Sequence, residues 1–196
     1  MKQHWKPGTM ISPVPALLVT SGQFGSTESN LFTASWTGIV CTNPAMCYVS
    51  IRPERYSYEL IKESMEFGLN LTTVAMAEAT DRAGVISGRN CDKWQETGLH
   101  QEMPKIIQAP LVQESPISME CRVREIIPLG SHDMFLAEII SVAVDESLLN
   151  TETGKLELHK SELLAYSHGE YFGLGNFIGY FGWSVKKGSG PIEQRK

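Results

Sequence analysis

NLFTASWTGIVCTNPAMCYVSIRPERYSYELIKE, residues Asn30 to Glu63, writes two strands and a helix start in one line. Leu31 to Val40 and Met46 to Ile51 are rich in β-branched and aromatic residues, the composition of strands, and Asn43-Pro44 between them is a turn signal. The second run delivers Arg52, Pro53, Glu54, Arg55, Tyr56 and Ser57 to the mouth of a helix. A helix N-terminus carries unpaired N–H groups and a partial positive charge, so arginines and a small hydroxyl there suit a phosphate. The stretch reads as strand, basic turn, helix: a candidate anion grip formed by Arg52, Arg55 and Ser57. The same residues read equally well as a capped and solvated helix start.

Working outward, Ala16 to Thr20 is a strand entered through an extended arm holding Pro7, Pro13 and Pro15, and Ser21 to Ser26 forms the glycine-punctuated connection back to Asn30. After Ser57, Leu60, Ile61, Met65 and Phe67 fall near helical spacing, with Gly68 as the expected helix end. Leu69 to Val74 alternates as a strand, Ala75 to Val85 reads as a second helix, and Ser87-Gly-Arg-Asn90 breaks it. Asp92 to Thr97, closed by Gly98, gives a third short helix.

Ile117, Met119, Cys121 and Val123 alternate with Ser118, Glu120, Arg122 and Arg124, which predicts a strand with one buried and one wet face. Met134 to Val144, nearly all apolar, is the more central strand, joined to it through Pro128 to Asp133 as a long antiparallel hairpin. Asn150 to Lys155 is a turn and Leu163 to Tyr166 a short strand. Gly169 to Gly182 alternates aromatics with glycines, a pattern expected to pack closely against another backbone, and the polar end from Lys186 on is expected to fray. Many strands interrupted by three short helices describe a mainly β fold, a barrel with helical insertions, better than a βαβ sheet.

A chain of 196 residues, 42% hydrophobic and 20% charged, fits one globular domain covering residues 1–196 rather than a disordered or fibrous class. A net charge of −5 gives no long-range pull on a phosphodiester backbone, so no nucleic acid is expected. No apolar run approaches the roughly 20 residues that span a bilayer, and the N-terminus lacks the apolar centre of a signal peptide, so no membrane association and a cytoplasmic location are expected. Cys41, Cys47, Cys91 and Cys121 show no zinc spacing and are read as buried free thiols, and no metal site is expected. His4, His100, His159 and His168 have no partner at ligand or triad spacing. The GLGNFIG phrase lacks the helix and acidic residue of a dinucleotide fingerprint.

Several phrases, in order along the chain, resemble the flavin reductase-like family, flavoredoxin and its relatives. They are the run from Pro15 to Asn30, TASWTG (33–38), SIRPERYSYELIKE (50–63), SGRNCDKW (87–94), PLGSHDMFLAEI (128–139) and HGEYFGLGNFIGYFGWSVKK (168–187). The resemblance implies an FMN-binding split β-barrel, a homodimer with FMN beside or at the subunit interface, and a nicotinamide donor (NADH or NADPH) or a redox protein as electron source. By position in the family pattern, Asn30, Trp36, Ser57, Lys93, His132 and Tyr166 fall around the flavin, and the strand Thr33, Ala34, Ser35, Trp36, Thr37 lends hydroxyl and backbone donors. Lys93 and His132 are the implied catalytic pair: a cation near the flavin pyrimidine stabilises reduced, anionic flavin, and a histidine donates without fixed charge. Read from the residues alone, Lys93 is a solvated helix residue and His132 the polar tip of a turn.

The chain departs from the family wording at Ser57 for threonine, at Trp94 for phenylalanine and at Gly130-Ser131-His132 for Gly-Asp-His. The missing acid before His132 is replaced only if Asp133 takes its place. Two functions follow: an FMN-dependent oxidoreductase passing electrons to a second acceptor, or a flavin-binding carrier or sensor without turnover.

Overall fold

Residues 1–185 are described by a computed structural model of the chain; the polar end from Lys186, expected to fray, lies outside the described residues. After an extended N-terminal arm come strands β1 (Val14–Pro15), β2 (Leu17–Ser21), β3 (Asn30–Ala34), β4 (Thr37–Cys41) and β5 (Met46–Ile51), then helix α1 (Tyr56–Ser64). Strand β6 (Glu66–Asn70) leads through a single 3-10 turn to α2 (Ala77–Val85) and α3 (Lys93–Thr97). The chain continues with β7 (Gln101–Glu102), β8 (Leu111–Val112), the long β9 (Ile117–Pro128) and β10 (Asp133–Val144), then β11 (Leu164–Ser167) and β12 (Glu170–Gly173).

Seven strands form one antiparallel sheet in the order β3-β2-β6-β9-β10-β5-β4. Its two outermost strands, β3 and β4, are consecutive in the chain and joined only by Ser35 and Trp36. So short a link forces the sheet to curl until its edges meet, leaving a seam where no strand pairing closes the barrel. The run Leu31 to Val40, expected as one strand, is therefore two, and Trp36 sits at the seam rather than inside a strand. On one side of the seam the chain is tied to β5: the Ser50 N–H donates to the Trp36 carbonyl at 2.8 Å, and the Thr37 hydroxyl donates to the Tyr48 carbonyl at 2.6 Å.

The barrel interior holds Leu17, Val19, Phe32, Val49, Ile51, Ile61, Phe67, Leu69, Cys121, Val123 and Phe135. Period-two alternation turns Leu18 and Leu31 to the other face, where they meet Met76 and Ala83 of the α2 region, Trp94 of α3, and Leu99. Burying each such side chain contributes about 1.5–3 kcal/mol, so β2, buried on both faces, anchors barrel and helices alike. Trp94 fills this outer layer, and its indole N–H has no acceptor among the described residues.

Several expectations are corrected. The helix after Ser57 ends at Ser64, with Met65 left-handed (φ 55), and Gly68 lies inside β6 rather than at a helix end. Phe67 and Leu69 alternate into the barrel, which wins over their near-helical spacing. A Cβ on Gly68 would collide with the Thr20 hydroxyl and come 2.9 Å from the Pro110 carbonyl, so glycine permits the close approach. Glu120, assigned to a wet face, is 1% exposed. Its carboxylate accepts the backbone N–H groups of Lys105, Ile106 and Ile107 at 3.0, 2.6 and 2.9 Å, which satisfies the buried charge.

β10 is central in pairing, as expected, yet its outer face is half open and Val142 is exposed. The aromatic-glycine tail behaves in two ways. Glu170–Gly173 pairs with β11 as expected, with the Tyr171 ring 5.6 Å from that of Tyr166 and a Cβ on Gly173 only 3.0 Å from Val74, whereas Leu174, Phe177, Ile178, Tyr180 and Phe181 beyond it are exposed. Among the cysteines, Cys47 and Cys121 are buried, but Cys41 and Cys91 are half-buried; all are free. No helix of the described residues is long and apolar enough to cross a membrane.

Candidate functional site

Two cavities meet along the inner side of the seam. The first, about 310 Å³, is lined by Thr33, Ala34, Ser35, Trp36, Ser50, Arg52, Arg55, His132 and Tyr166 among others. The second, about 290 Å³, is lined by Asn30, Tyr56, Ser57, Ser87, Gly88 and Lys93, and shares Phe32, Arg52 and Arg55 with the first. Each expected site residue lines one or both, except Thr37, whose hydroxyl is committed to Tyr48. Thr33 keeps a backbone place on the wall while its hydroxyl donates to the Thr80 carbonyl of α2.

The cationic end is built from three elements. Arg55 is the N-cap of α1 and makes no side-chain cap; the Tyr58 N–H donates to the Arg55 carbonyl at 3.0 Å, which leaves the N–H groups of Tyr56 and Ser57 uncapped at the helix start. Ser57 is not a cap either. Its buried Oγ accepts from Ser21 Oγ at 2.7 Å and from Asn30 Nδ2 at 2.8 Å, which leaves its own proton to donate into the cavity. α2 ends beside them, and its last carbonyls hold the two cations: Lys93 Nζ donates to Ala83 at 2.6 Å and Arg55 Nη1 to Gly84 at 3.1 Å. The negative end of a helix suits them, but neither forms an ion pair with a carboxylate among the described residues.

Lys93 is thus buried rather than solvated, against the reading from residues alone. Burial, and then the neighbouring Arg55 guanidinium, pull its pKa down to about 8. A buried cation so destabilised gains from any anion that joins it. Gly88 completes the cradle: a Cβ there would clash with the Asn30 side chain and lie 2.7 Å from the Tyr56 ring. Sequence reasoning took Ser87-Gly88 only as a helix break. The signal lay in the glycine itself, in a phrase that brings Lys93 five residues later.

The other end carries Trp36, Tyr166 and His132. The β9–β10 turn brings in His132, whose Nδ1 lies 3.0 Å from Ser131 Oγ. Burial first, then the positive charge of Arg52, lowers its pKa below the ordinary histidine value. Asp133 does not stand in for the missing acid: its carboxylate accepts from Tyr58 of α1 at 2.5 Å. Lys93 and His132 line different cavities, with Arg52 and Arg55 between them, so they do not meet at one point.

A curled antiparallel sheet split at one seam, with an anion cradle at one end of the cleft and aromatic walls at the other, defines a split-barrel flavin-binding fold. The sequence pattern described as "Flavin reductase like domain" matches residues 10–175, and the chain belongs to the flavin reductase-like family. Flavoredoxin of Desulfovibrio vulgaris (Miyazaki F) superposes with a TM-score of 0.86 at 31% identity, covering 95% of this chain and 100% of its own. Flavoredoxin from Methanosarcina acetivorans gives 0.84 at 27% identity, with the same coverage. An uncharacterised protein of Archaeoglobus fulgidus is 28% identical over 160 residues, 82% of this chain and 87% of its own. The chain is accordingly a flavin-related oxidoreductase or electron-transfer protein.

Proposed function

We propose that the chain binds FMN across the two joined cavities and works as an FMN-dependent oxidoreductase. The observation that carries this is the pair Arg55 and Lys93, held at the end of α2 with no carboxylate partner among the described residues and facing the uncapped start of α1. Bound FMN would supply the two-electron redox chemistry that no side chain here provides. Arg55, Lys93 and the Ser57 hydroxyl neutralise and orient the phosphate, with Arg52 at the boundary of the two cavities. Asn30 serves mainly by fixing Ser57. Trp36, Tyr166 and the strand from Thr33 to Thr37 bound the ring end, and His132, neutral near pH 7, donates or accepts a hydrogen bond there without adding charge.

NADH, NADPH or a redox protein is the electron source in this reading. A homodimer completes the cleft, which the exposed tail aromatics and the open face of β4 and β10 favour. Four free thiols favour a cytoplasmic location.

The test is the visible spectrum of the purified protein, taken with added FMN and then with anaerobic NADH or NADPH. A flavin spectrum that bleaches with either nucleotide is expected. A flavin spectrum that neither nucleotide changes assigns the protein to carriers or to acceptors of electrons from a protein, and failure to take up FMN ends the flavin reading.

A further inference from the structure

The N-terminal arm runs beside Trp36 and forms one wall of two more open cavities, about 340 and 310 Å³. Met10, Ile11, Val14 and Trp36 line both; Tyr166 closes one and Tyr48 the other. Trp36 and Tyr166 also line the ring end of the flavin site, so this lobe opens directly onto it. The two lobes differ in charge. Arg52, Arg55, Lys93, Glu54 and His132 line the inner cavities, whereas no Lys, Arg, Asp or Glu lines the outer ones, whose one basic side chain is His168. An ion placed in the outer lobe would lose hydration and meet no carboxylate, ammonium or guanidinium, with the His168 imidazole as its one basic neighbour, while a planar apolar molecule would find aromatic walls and a few hydroxyls at its edge.

We propose that this arm-lined lobe binds an uncharged aromatic molecule of one or two rings, a second ligand beside the flavin. Its place beside a flavin rests on the FMN reading; its chemistry rests on the lining alone. A dinucleotide lying in this lobe would carry its pyrophosphate past no Lys or Arg side chain, so the lobe selects against that class and for a neutral one.

Calorimetric titration with 2-naphthol and with naphthalene-2-sulfonate, on the protein with and without FMN, tests the proposal. 2-Naphthol is expected to bind at least about tenfold more tightly than the sulfonate, the equivalent of about 1.4 kcal/mol. Met10 is 57% exposed, so Met10→Asp leaves the fold intact. It is expected to weaken 2-naphthol binding by a similar factor with FMN affinity unchanged, while Met10→Leu retains both. Equal affinity for the two probes, unchanged 2-naphthol binding in Met10→Asp, or no binding because the tail of a second copy fills the lobe would each overturn it. Failure to bind FMN, with the probes still discriminated, would overturn the flavin reading and leave the lobe assigned.

Discussion

β3 and β4 follow one another in the chain and end at opposite edges of one sheet, yet their surroundings differ sharply. β3 is covered by α2 and α3, and its residues line the two cavities proposed for the flavin. β4 is bare: Ile39 is 67% exposed and Val40 49%. An uncovered apolar edge strand invites pairing or burial, so nature covers or blunts it. The covered edge uses helix ends as the walls of its cavities. The bare edge is the place we propose for a second copy of the chain.

Mutations on the two edges should separate these roles. The largest effect is expected on the covered side, where Arg55→Ala should weaken FMN binding by about 3 kcal/mol in an equilibrium titration, because a charge-assisted contact and the tie to Gly84 are lost together. Ile39→Asp on the bare side should shift the dimer toward monomer by about 2 kcal/mol in sedimentation, with FMN uptake per chain reporting how far the cleft depends on the partner. If Ile39→Asp leaves the assembly unchanged, β4 is not the interface.

A pH series sharpens the covered side further. Lys93 is protonated below about pH 8, and a bound phosphate favours that form and raises its pKa. FMN affinity should therefore be flat from about pH 7, above the second ionisation of the phosphate at about 6, to about 8, and fall above that, at most about tenfold per pH unit, until the raised pKa of the complex is passed. Riboflavin, which has no phosphate, should show no such fall. The smallest effect is expected from Tyr58→Phe, which removes the bond from α1 to Asp133 beside His132: about 1 kcal/mol of stability in denaturant unfolding, with a shifted His132 titration by NMR.

Much of this was legible because local chemistry and tertiary need agreed. Asp92 caps α3 through the Trp94 and Gln95 N–H groups, and Gly98 ends it left-handed, as their residue types announce. The β9–β10 hairpin and the basic turn before Ser57 were equally plain. The failures fall where the barrel overrides local pattern. Phe67 and Leu69 obey the core, not helical spacing; Glu120 is buried because a distant loop brings it donors; Trp36 breaks a strand because the sheet must curl. In the site, Arg52, Arg55 and Ser57 could be placed together from one stretch, whereas Asn30 entered only through the family pattern. That Lys93 and His132 would line separate cavities depends on how far the sheet curls, which no spacing encodes. The arm beside Trp36 was likewise invisible, since nothing in its composition names what it lies against.

The link of Ser35 and Trp36 also acts as a ruler. Ala34 and Thr37 are three peptide steps apart, so the seam can gape by no more than about 11 Å at that point, whatever the rest of the sheet does. The gauge of the slot is thus written in chain length rather than in side chains. One residue added there would widen the limit by about 3.5 Å, whereas substitutions along the walls could only pad or hollow a slot whose bore is already set.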